Sequence, residues 1–170
     1  MVWGFAEATL FFFVPDIFLS RVALDAPKRA FVACGFALAG ALIGGAIMFA
    51  WGRASSEPAR AALDAVPGIS EGMIATVGED FEELGATALF FGPPRGVPYK
   101  IYAVEWGAAG GSFAEFLLVS IPARVLRFLL VAALAVFVRR TLLSKRSRRV
   151  CLWFHAACWV SFYTAYFWLI

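Results

Sequence analysis

Residues 30–51 form a run of 22 positions without one charged side chain. Wound as a helix, that run is about 33 Å long, enough to cross the hydrocarbon core of a bilayer. The rest of the 170-residue chain points the same way: 62% of it is apolar and only 16% charged. Ordinary soluble domains are roughly half apolar and about a quarter charged. A single globule of this length could not hide so much apolar surface from water. Soluble enzymes, disordered tails and disulfide scaffolds are therefore excluded, and the length fits one compact membrane domain.

Two other apolar runs are interrupted. Residues 1–24 carry Glu7 and, in mid-run, Val14-Pro15-Asp16. Proline removes a backbone donor and disfavours helix just before it. The segment reads as two half-helices joined by a turn at Pro15-Asp16, each too short to span, so that the chain dips into the bilayer and returns. Residues 86–111 repeat the pattern. Apolar arms flank Gly92, Pro93, Pro94, Arg95, Gly96, Val97, Pro98, Tyr99 and Lys100, a stretch that cannot be regular helix. The expected breaks are Pro15, Gly92, Pro93, Pro94, Gly96 and Pro98.

Two further runs read as uninterrupted helices, 113–138 and 150–170. Between the first span and the second broken segment, residues 52–85 are polar. Arg53 to Glu83 holds seven acids and two bases. Within it Met73, Ile74, Val77, Phe81 and Leu84 recur at helical spacing, the mark of a short amphipathic helix ended by Gly85. Gly40 and Gly44 in the first span permit close approach of another helix within the same molecule. The last span places Tyr163, Tyr166 and Trp168 as an interfacial belt. No cleavable signal peptide is expected, since the N-terminal run lacks a basic lead and a small-residue cleavage site. Cys34, Cys151 and Cys158 have no metal-ligand spacing and read as small buried hydrophobes.

Arg139, Arg140, Lys145, Arg146, Arg148 and Arg149 form a basic run between two apolar spans. That context makes it a cytoplasmic loop of an inner-membrane protein rather than a nucleic-acid site. Arg21, Lys28 and Arg29 then lie on the same side, and the two broken segments enter from opposite leaflets. The resulting architecture is all-α and integral to the membrane. It has two opposed re-entrant helical hairpins, each followed by a transmembrane helix as an inverted repeat, plus a C-terminal transmembrane helix.

Ionisable groups at membrane depth cost about 2.5–3.5 kcal/mol each on insertion scales. Glu7, Asp16, Arg95, Lys100, Arg124 and Arg127 all fall there, and they are the candidate substrate- or proton-binding residues. Their least costly arrangement brings the acids of the first hairpin to the bases of the second and of the following helix. A carboxylate of Glu7 or Asp16 is then expected within salt-bridge reach of Arg95 or Arg124. Lys100 and Arg127 also have the option of snorkelling to the surface, and Glu105 is expected near the outer interface. Guanidinium groups match the oxygens of a phosphate, and a carboxylate among them can take up a proton when an anion competes. No catalytic residue, cofactor or metal is expected. His155 stands alone, and the chain has no Gly-x-Ser-x-Gly serine site, zinc-ligand cluster or phosphate-binding loop.

Glu7 with Pro15-Asp16, then Phe91-Gly92 with Arg95 and Pro98, then Ile121-Pro122-Ala123-Arg124 with Arg127-Phe128, resemble the DedA family. These membrane proteins are also called SNARE-associated or VTT-domain proteins. Pro98-Tyr99-Lys100 looks most like the small YqaA-type branch. The resemblance covers roughly residues 3–138. It implies two facing re-entrant hairpins and a flippase or scramblase for polyprenyl phosphate or phospholipid. It also implies acidic roles for Glu7 and Asp16 and a basic role for Arg95. Ile101 stands where many members carry a second arginine, and Lys100 lies one residue earlier. Phosphate-bearing membrane lipids are the expected partners, with nucleic acid excluded and a homo-oligomer left open. The alternatives are a proton-coupled transporter or channel for a small soluble ion, and a non-transporting membrane scaffold.

Overall fold

The computed structural model describes residues 1–92 and 95–169. Pro93 and Pro94, two of the expected breaks, and Ile170 lie outside the described residues. Among the described residues the regular structure is all helical, with no strand. In chain order the helices are α1 (Val2–Ala8), α2 (Asp16–Asp25), α3 (Pro27–Ala54), α4 (Ser56–Asp64), α5 (Glu71–Leu84), α6 (Ala88–Phe91), α7 (Tyr99–Ala108), α8 (Phe113–Thr141) and α9 (Arg148–Leu169). A 3-10 turn, Gly85–Thr87, precedes α6.

The first broken segment is two helices, as its sequence requires, but the break is longer than a turn at Pro15-Asp16. α1 ends at Ala8, where the Thr9 hydroxyl turns back to the carbonyls of Phe5 and Ala6 at 3.1 and 2.9 Å. Residues 9–15 are not helical, and Pro15 serves as the cap before α2. The second break starts at Gly92, and α7 begins just after Pro98. Gly96 has φ +79, a left-handed conformation that glycine adopts without strain.

α3 is longer than its uncharged run. Pro27 occupies its first turn, where a missing N–H costs nothing, and the helix reaches Ala54. α8 continues through Pro122 to Thr141, starting from a Ser112 cap whose hydroxyl accepts from the Glu115 N–H. The polar stretch 52–85 holds α5 where the hydrophobic spacing puts it. Ser70 caps it, and Gly85, at φ +55, ends it. The same stretch also contains α4, which its short and mixed sequence does not announce.

α3 is the central post. α1 packs on one part of it and α7 on another. A Cβ at Gly40 would collide with the Met1 carbonyl, and one at Gly52 with the Val104 carbonyl. The glycine stripe therefore serves internal packing, as backbone approach between helices demands. α7 packs on α3 and α2 packs on α8, so a helix beside each break leans on the long helix that follows the other break. Phe31, Phe36, Ile47, Leu118, Leu130 and Leu134 project outward from the two long helices. Such an apolar exterior suits lipid rather than water.

Candidate functional site

Glu7 lies at the end of α1 and Asp16 opens α2, so the two acids flank the first break. Asp16 sits at a helix N-terminus, where the backbone dipole favours a negative charge; Glu7 sits at a C-terminal end, where it does not. Glu7 must therefore take its stabilisation from side chains. Arg124 and Arg127 are three residues apart on α8 and share one face.

The structure joins these groups in pairs. Arg124 forms a salt bridge with Glu7, and both side chains are almost wholly buried. The Arg124 guanidinium also lies 4.6 Å from the ring centre of Tyr99 and 4.8 Å from that of Phe128. Tyr99 is fixed in turn by donating its hydroxyl to Ser120 at 3.0 Å. Arg127 donates from Nε and Nη2 to one oxygen of Asp16, Oδ2, at 2.9 and 2.6 Å. The other oxygen, Oδ1, is buried without a hydrogen-bond partner. Lys100 completes the group. It does not snorkel: its side chain is buried, and Nζ donates to the Phe11 carbonyl at 2.7 Å. Arg127 likewise stays inside, on Asp16.

Arg95 is not brought to these acids. Its Nη1 donates to Asp80 Oδ1 at 2.8 Å, and its side chain is 52% exposed. α5 supplies that partner at a position only fifteen residues away in sequence. Glu105, expected near the outer interface, is buried and forms a two-fold pair with Arg60, 2.8 Å at each contact. That pairing with Glu105 raises the pKa of Arg60 above its ordinary value. Asp80, Arg60 and Glu105 escaped the reading of the sequence as site residues. Asp80 left one trace, a carboxylate three residues after Val77 on the inward face of α5.

Two cavities meet at this cluster. One, of about 70 Å³, is lined by Glu7, Lys100, Arg127, Tyr163 and the Gly96–Pro98 segment. A space of that size, with Glu7, Lys100 and Arg127 on an otherwise mostly apolar wall, accommodates a few water molecules. The other, of about 550 Å³, is a mainly apolar groove with Phe90, Leu126, Leu130, Trp159 and Phe162 along it and Asp16 and Arg127 at its polar end. Val14, Arg127 and Phe162 belong to both. α9 is the outer wall. Its Tyr163 hydroxyl accepts from the Val14 N–H at 3.1 Å, and Tyr166 donates to the carbonyls of Gly68 and Gly96. Of the expected aromatic belt, only Trp168 is largely exposed, at 86%. Cys34 and Cys151 are buried as expected, but Cys158 is exposed, on the wall of the groove. His155 bonds Ser20 across the α2–α9 contact at 2.9 Å. Among the described residues, no group of three His, Cys, Asp or Glu side chains is placed to hold a metal ion.

α3, α8 and α9 are each long and apolar enough to cross a bilayer. Together with the surrounding short helices they define a helical membrane protein with a buried cluster of ion pairs. A relative from Haemophilus influenzae, carrying the description "Uncharacterized protein", is 28% identical over 132 residues, 78% of this chain and 68% of the relative. No family model matches the chain, and no solved structure does.

Proposed function

We propose that this protein moves phosphate-bearing lipids, polyprenyl phosphates or phospholipids, from one leaflet to the other as a flippase or scramblase. The observation that carries the reading is the continuity at Arg127. A mainly apolar groove shares its Arg127 guanidinium with a small cavity bordered by Glu7 and Lys100. Acyl or prenyl chains suit the groove, and a phosphate suits the cations. A soluble ion would need no apolar groove, so the groove favours a lipid over the small-ion reading. The resemblance to the DedA family supports the same activity.

In this reading the two broken segments are re-entrant hairpins from opposite leaflets, and the loop around Arg139–Arg149 is cytoplasmic in the inner membrane. Asp16 gives up Arg127 when a phosphate arrives. Exchange of partners at the hairpin carboxylates in this way couples transport to a proton gradient. The test is reconstitution in liposomes with a fluorescent phosphatidic acid or polyprenyl phosphate. The expected result is movement well above empty vesicles, lost in Arg127→Ala. Equal rates for protein-containing and empty vesicles would overturn the proposal.

A further inference from the structure

The pair Asp80–Arg95 lies outside the cluster just described, and its two members are unequal. The Asp80 side chain is 10% exposed and the Arg95 side chain 52%. The other acids late in α5, Glu79, Glu82 and Glu83, face outward, whereas Asp80 takes an inward position in register with Ile74 and Val77. Burying a carboxylate is costly unless it is paired. Both oxygens of Asp80 are engaged: Oδ1 by Arg95 Nη1 at 2.8 Å, and Oδ2 by the Tyr102 hydroxyl at 3.1 Å. Tyr102 is wholly buried on α7, and its ring fills the space that a side chain at Gly92 would need. The carboxylate is thus held at the second break by two partners, and the guanidinium is the member that faces out.

Arg95 also stands directly before the Gly96–Pro98 segment, which walls the small cavity bordered by Lys100 and Arg127. The chain that carries the half-exposed Arg95 thus continues directly into the wall of the cavity those cations line. We propose that Asp80 is a positioning residue, the resting counter-ion that holds Arg95 at the mouth of the site and is displaced from it by an incoming phosphate group. This rests on the reading of the protein as a carrier of phosphate-bearing lipids, and it adds an outer phosphate-receiving point governed by α5. Asp80 competes with the ligand for one guanidinium, so removing its charge frees Arg95.

The competition gives a signature opposite to that of a strut. Full-length protein in phosphatidylcholine nanodiscs is titrated with dihexanoyl phosphatidic acid by calorimetry. Asp80→Asn is expected to tighten binding about fivefold, the scale of a partly exposed ion pair. Asp80→Glu is expected to behave as wild type. Arg95→Gln weakens binding and makes a further Asp80→Asn change silent. Folded Asp80→Asn protein with unchanged or weaker affinity would overturn the inference while leaving the carrier reading intact. Should Asp80→Asn fail to fold, Arg95→Gln decides alone, and unchanged affinity in that variant overturns it. Wild-type protein that binds none of this lipid sinks both.

Discussion

The ammonium of Lys100, at the edge of the second break, donates to the backbone carbonyl of Phe11, in the middle of the first, across 2.7 Å. Both breaks remove carbonyls from helical hydrogen bonding, and in an apolar medium each such group needs another partner. One buried cation therefore ties the two irregular segments together. Lys100→Met keeps the length of the stem and removes the donor. It is expected to cost about 1–3 kcal/mol, read as a lowered midpoint when protein in mixed micelles is titrated with SDS. An unchanged midpoint would mean that the Phe11 carbonyl finds another donor.

Glu7 and Arg124 form the most deeply buried pair in the cluster. Glu7→Gln leaves a buried guanidinium without its counter-charge, and Arg124→Leu leaves a buried carboxylate. Each is expected to destabilise by about 3–5 kcal/mol, whereas the double variant Glu7→Gln, Arg124→Leu costs less than the sum. The double-mutant cycle, measured by the same micelle titration, gives the coupling.

The long helices and α5 were legible in the sequence, whereas α4 was not. An uncharged run marks α3, a long apolar run broken only by Glu115, Arg124 and Arg127 marks α8, and the series Met73, Ile74, Val77, Phe81, Leu84 marks α5. The extent of the first break was not. Leu10 to Phe13 is as apolar as any helix, and nothing local says that Thr9 ends α1. The need to pair Glu7 and Asp16 with bases could be read from the cost of burial, and Arg124 was named as a partner. Which base meets which acid could not be read. Arg127 and Asp16 are 111 residues apart, and only packing of α2 on α8 joins them. Arg95 went to Asp80 because the amphipathic helix α5 carries a carboxylate on its inner face.

Glycines in α3 differ sharply in what they allow. A Cβ at Gly45 would run into the ring of Tyr99, whereas one at Gly35 meets nothing within 4 Å. Gly45→Ala is expected to lose about 1–3 kcal/mol by overpacking, and to disturb Arg124 through Tyr99. Gly35→Ala is expected to be neutral or to gain up to about 1 kcal/mol from helix propensity. Thermal midpoints in detergent separate the two; equal effects would contradict the packing described.

At the basic end, Asp25 ties α2 to α9. Arg148 donates to its Oδ2 from Nε and Nη2 at 3.1 and 2.9 Å, and Arg21 from Nη1 at 2.9 Å. Hydrogen bonding by Arg148, then by Arg21, holds the Asp25 carboxyl below its ordinary 3.8. With a folded pKa below the unfolded one, its stabilisation is complete above 3.8 and is lost as pH falls through the lower folded value. Because the groups are exposed, the effect is small. The thermal midpoint should fall less steeply below about pH 4 in Asp25→Asn than in wild type. Identical slopes would mean that the α2–α9 tie carries no linkage.

Density for a lipid tests the central claim most directly. In a cryo-electron microscopy map of the protein in nanodiscs containing a phosphate-bearing lipid, a headgroup should stand beside Arg127 and Lys100. Its chain should follow Leu126 and Leu130 toward Trp159. A map with every phosphate in the two leaflet planes, and α9 closed against α8 so that no groove remains, would contradict the account.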